Sequence, residues 1–123
     1  MRGIMSDHRS LLSPENAVLV GWTTVDSAEA ARRLASGLVE NQLAACVQID
    51  PPMEAVFPWK GEVETETEWR LWIKTRRGRE REVRAYFARA HPYEVPQWVA
   101  VAAASVHEGY HAWLCEATAG QDS

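Results

Sequence analysis

Apolar positions along the chain follow two periods, runs or alternations in some segments and a three-to-four spacing in others. The first run, Ala17-Val18-Leu19-Val20-Gly21-Trp22, is short and rich in β-branched residues, which predicts a buried central strand. Ala31, Leu34, Ala35, Leu38 and Val39 then recur at i, i+3, i+4, i+7 and i+8, the stripe of an amphipathic helix. Asp26 stands three residues before Glu29, the spacing of a capping box at its start. Arg32, Arg33, Ser36 and Glu40 fall on the opposite face. Gly37 is the weak position, because glycine inside a helix costs about 1 kcal/mol against alanine. Leu43 to Ile49 predicts a second buried strand, stopped by Asp50-Pro51-Pro52.

Met53 to Trp59 and Glu62 to Glu66 flank a Trp59-Lys60-Gly61 bend and predict an inserted hairpin, with a further turn over Thr65 to Thr67. Glu68 to Thr75 alternates, with Trp69, Leu71 and Ile73 on one face and Arg70, Trp72 and Lys74 on the other. Gly78 precedes a second amphipathic helix carrying Val83, Tyr86, Phe87 and Ala90, which Pro92 ends by forcing residue 91 out of the helical region. Gln97 to Val106 predicts the last strand, and a final helix places Tyr110, Trp113, Leu114 and Ala117 on one side. Two β-α-β halves around a hairpin, then a C-terminal helix, predict an α+β, ferredoxin-like split β-α-β sandwich with both main helices on one face.

The 123 residues, 46% hydrophobic, suit one domain. Residues 1–16 are mixed and polar and are expected to be a loose tail, residues 17–118 the domain, and residues 119–123 a short C-terminal tail. No apolar run approaches the roughly 18 residues of a membrane span. With 17 acids against 13 bases the chain is mildly acidic, which argues against nucleic-acid binding. Cys46 and Cys115 are too few for a disulfide framework, and Leu11-Leu12 is too short for the core of a signal peptide. Both cysteines are therefore expected as thiols in the cytoplasm. The six tryptophans are more aromatic mass than one small core easily covers.

Four constellations carry possible chemistry. Glu62, Glu64, Glu66 and Glu68 share a strand face and read either as a cation ladder or as a solvated hairpin edge. Arg76, Arg77, Arg79, Arg81, Arg84 and Arg89 read either as a charged helix face or as a place for a small anion. His107, His111 and Cys115 are spaced by four, as soft-metal ligands on a helix would be, although Gly109 at the helix start turns His107 elsewhere. His91-Pro92-Tyr93-Glu94-Val95-Pro96 is a proline-stiffened loop holding an imidazole, a phenol and a carboxylate together, as a pocket wall requires. No nucleophile elbow, phosphate loop or dinucleotide fingerprint occurs, and no enzyme is indicated.

Taken together, Leu38-Val39-Glu40, Leu43-Ala44-Ala45-Cys46-Val47, Trp59-Lys60-Gly61-Glu62, Lys74-Thr75 and His91-Pro92-Tyr93-Glu94-Val95-Pro96 resemble the CutA divalent-cation-tolerance proteins from about Val18 to Trp113. The resemblance implies a homotrimer akin in architecture to the PII signalling proteins, and a part in tolerance to copper and other divalent metals. It implies Lys74, Tyr93, Glu94 and Trp59 as candidates for a pocket between subunits, and His91 as the metal-binding candidate, with copper or another divalent cation as ligand. Some members are credited with copper binding through a cysteine and a His-His pair; the matching residues here are Thr23, Ala90 and His91. The alternative is a PII-like regulator or scaffold that senses an anionic metabolite or docks a protein partner.

Overall fold

A computed structural model describes residues 11–120. After a 3-10 turn at Pro14–Asn16 come β1 (Val18–Val25), α1 (Ala28–Glu40), β2 (Cys46–Ile49), β3 (Met53–Trp59) and β4 (Glu62–Arg76). A second 3-10 turn leads into α2 (Glu80–Ala90), then β5 (Val99–Ala102) and α3 (Glu108–Ala117). The sheet order is β2-β4-β1-β5, and every neighbouring pair is antiparallel. β1 and β2 therefore run parallel with β4 between them, the split β-α-β arrangement. The fold is the expected ferredoxin-like α+β sandwich.

β4 is the spine. Its 15 residues would span ~50 Å if fully extended. Glu62 to Glu68 pair with β3, and Trp69 to Arg76 pair with β1. The turn expected over Thr65 to Thr67 is absent, because β3 supplies a partner for each of those residues. The hairpin reverses, as expected, at Lys60 and Gly61, both at positive φ (51° and 82°), the geometry of a tight two-residue turn.

Registered residues share a face, so Thr23, Leu71, Ile73, Thr75 and Val25 point toward α1 and α2 and are buried there. Ala30, Ala31, Leu34 and Leu38 of α1 and Val83 and Phe87 of α2 complete that core. Gly37 has a specific purpose, since the Tyr86 hydroxyl occupies the place where a Cβ would stand. Val39 departs from the predicted stripe and is 42% exposed. The helix cap is Ser27, whose Oγ accepts from Ala30 N, rather than Asp26.

On the opposite face α3 covers only one end of the sheet, packing Leu114, Tyr110 and Trp113 against Val18, Ala45 and Val106. β5 is four residues rather than ten: before it Trp98 leaves the ladder to lie over Gly21 and edge-on to Phe87, and after it Ala103 N still bonds Val18 O while Ala103 and Val106 pack with α3. Residues 13–17, at the border of the expected tail, are tied down: Asn16 N bonds Ser13 O, and Arg77 N bonds Ala17 O. The rest of that expected tail up to residue 10, and residues 121–123, lie outside the described residues.

Candidate functional site

The loop after α2 is built around His91. Pro92 ends the helix, and His91 caps it in an extended conformation with its N–H still bonded to Phe87 O. The imidazole lies between the Phe87 and Tyr93 rings, each centroid 5.2 Å away. Tyr93 N donates to Nδ1 at 3.1 Å, so Nδ1 is the unprotonated nitrogen. The proton of the neutral ring then sits on Nε2 and is donated to Thr23 Oγ1 at 2.8 Å. Burial holds the His91 pKa below its ordinary value, against a hydrogen bond to the Thr24 backbone and the charges of Asp26 and Glu68.

Tyr93 extends the chain of bonds. Its hydroxyl donates to Glu68 Oε2 at 2.9 Å. Burial, that bond to a carboxylate, and the nearby charges of Glu68, Asp26 and Glu66 push the phenol well above its usual pKa. It therefore stays protonated as a donor. Thr23, which the resemblance matched to a cysteine of other members, is the far anchor of the network and is fully buried.

The remaining pocket candidates are not gathered with Tyr93 in one chain. Lys74 stands six residues farther along β4 than Glu68, ~20 Å away in an extended strand, and Nζ donates to Gln48 Oε1 at 2.9 Å. Trp59 pairs with Glu62, a similar distance the other way, and is 59% exposed beside Lys60 Nζ. Glu94 is exposed on the loop itself.

A second cluster lies on the sheet face that α3 leaves open. Asp50 Oδ2 accepts from Arg70 Nε at 2.9 Å and from Trp72 Nε1 at 3.0 Å, and these bonds lower its pKa. The Arg70 guanidinium stacks over Trp72 at 4.8 Å, and Trp22 lies against Trp72 at 5.4 Å. The alternation of β4 placed Arg70, Trp72 and Lys74 together, but Asp50 read only as a strand stop.

Several members of the other constellations have structural partners. His107 caps α3, its Nδ1 accepting from Gly109 N. His111 Nε2 meets Asn16 O at 2.7 Å, and Cys115 Sγ points at the same carbonyl. Arg76 and Arg79 both donate to Thr118 O at the end of α3. In the acidic ladder, Glu68 is taken by Tyr93. Among the described residues no group of three His, Cys, Asp or Glu side chains is placed to hold a metal ion. Nor is any helix among them long and apolar enough to cross a membrane.

Comparison with known proteins agrees with this architecture. The plant protein named Protein CutA, chloroplastic, from Arabidopsis thaliana is 35% identical over 81% of this chain, which spans 55% of that relative's length. The Thermus thermophilus divalent-cation tolerance protein CutA is 39% identical over 85% of this chain and 98% of its own length. The solved structure of CutA1 from Oryza sativa superposes with a TM-score of 0.82 at 35% identity, covering 86% of this chain and 97% of that one. The family model described as CutA1 divalent ion tolerance protein matches residues 19–117, and the chain belongs to that family.

Proposed function

We propose that the chain works as a non-enzymatic homotrimer in the cytoplasm, contributing to tolerance of copper or another divalent cation by holding the ion or a small ligand where subunits meet. The open sheet face carries this reading. None of the six tryptophans is fully buried within one chain. Trp22 and Trp72 line a face continued by Val99 and Val101, 41% and 51% exposed, and the hairpin adds Val56 and Val63, 66% and 77% exposed. Aromatic and aliphatic surface of this extent is the composition of an interface core. The separation of Lys74, Tyr93, Glu94 and Trp59 supports a pocket completed by neighbouring copies. The family name supports the cation, and the two unpaired thiols support a reducing compartment.

Calorimetric titration of the trimer with Cu2+ and with Zn2+ tests the ligand. Saturable uptake in a fixed ratio to trimers supports the proposal, and absence of uptake of both ions contradicts it. The PII-like alternative draws on the Arg70 and Lys74 cations of the open face, and it requires an anionic ligand whose affinity falls with salt.

A further inference from the structure

We infer that His91 is a positioning residue locked in a closed hydrogen-bond chain, and that its imidazole is not a ligand for divalent cations. This inference rests on the geometry of the loop and stands or falls independently of the oligomer proposed above. A metal ion binds an imidazole through a nitrogen lone pair, and a neutral ring has one. Here that lone pair, on Nδ1, is already filled by the Tyr93 backbone N–H at 3.1 Å. The other nitrogen carries the proton and gives it to Thr23 Oγ1 at 2.8 Å.

Turning the ring over does not open it. Exchange of the two nitrogens between these partners still requires one to accept from Tyr93 N, a group that only donates. The co-ligands are also wrong. Thr23 offers a fully buried neutral hydroxyl where a soft ion needs thiolate or imidazole, and the partner of the ring's other nitrogen is a backbone amide. Ala90, the residue before His91, offers no donor atom. The nearest carboxylate in the network, Glu68, accepts from the Tyr93 phenol.

What the closed chain does is positional. The Tyr93 amide sets the tautomer of His91, Thr23 on β1 accepts from its Nε2, and the Tyr93 phenol reaches Glu68 on β4. Two strands and the loop after α2 are thereby fixed to one another through side chains, with the ring seated between Phe87 and Tyr93.

Nitrogen-15 NMR of the histidine rings in the wild-type protein reads the tautomer directly. The expected spectrum shows His91 protonated on Nε2, with shifts unchanged after saturating Zn2+. Movement of the Nδ1 resonance on adding Zn2+ would overturn the inference. Paired titrations supply the second readout: His91→Gln should keep the Cu2+ and Zn2+ stoichiometry and leave affinity within about twofold, including the case where neither protein takes up metal. Loss of one bound ion per chain in His91→Gln would overturn it. Thr23→Ser should leave the Nε2–H signal in place and Thr23→Val should shift it as its acceptor is lost, with Nδ1 unprotonated in both, a difference that a packing role alone would not produce.

Discussion

Tyr93 donates its phenolic proton to Glu68 Oε2 at the residue where β4 changes partner, with β3 paired up to Glu68 and β1 paired from Trp69 onward. The loop after α2 is thus fastened where the hairpin leaves the main sheet. A hydrogen bond there limits how freely the hairpin swings relative to the sandwich.

Tyr93→Phe keeps the ring against His91 and deletes only that bond. Glu68 is half-buried and regains some hydration, so the cost is about 1 kcal/mol, below that of a fully buried charged bond. Urea unfolding should show a lower midpoint with an unchanged slope. Amide exchange should rise along Met53–Trp59 more than along β1.

Gly37→Ala runs against helix propensity. At an exposed site alanine would add about 1 kcal/mol. Here the new Cβ meets the Tyr86 hydroxyl and lies 2.8 Å from its Cζ, so the variant should be less stable than wild type. Tyr86→Phe in the same chain should recover part of the loss, measured as coupling in a double-mutant cycle.

Acid should weaken the fold through His91. Burial places its folded-state pKa below the ordinary 6.5, although a bond to the Thr24 backbone and the charges of Asp26 and Glu68 pull the other way. Between the two values the unfolded chain binds more protons, so stability falls as pH falls. The His91 contribution is complete above the unfolded value and is lost as pH drops through the folded one. Urea midpoints at about pH 7.5 and about pH 5 should converge in His91→Gln relative to wild type.

Trp72→Glu places a carboxylate on the open face beside Trp22 and Asp50. Trp72 is only half-covered within one chain, so the single subunit should still fold. Its circular dichroism should match wild type while its assembled mass falls. An unchanged mass would show that this face is not where copies meet.

Periodicity alone located α1, α2 and α3, because each buries a stripe against a sheet and few other patterns repeat at that spacing. Capping was less legible, since Asp26 and Ser27 are adjacent and both are capping residues. The missing turn at Thr65–Thr67 and the late start of β5 were set by partners distant in sequence, β3 for one and Gly21, Phe87 and Glu80 around Trp98 for the other. The same reason hid Thr23. Its partner His91 lies 68 residues away, and an alternating strand pattern cannot show which threonine meets it. The His91–Glu94 loop was visible as a unit because its two prolines bracket chemically capable side chains.

The central claim is that the uncovered sheet face and hairpin are completed by two further copies. Size-exclusion chromatography with light scattering at micromolar concentration tests it most directly. The account predicts a single species of three times the chain mass, stable on dilution across that range. A monodisperse species of one chain mass would contradict it.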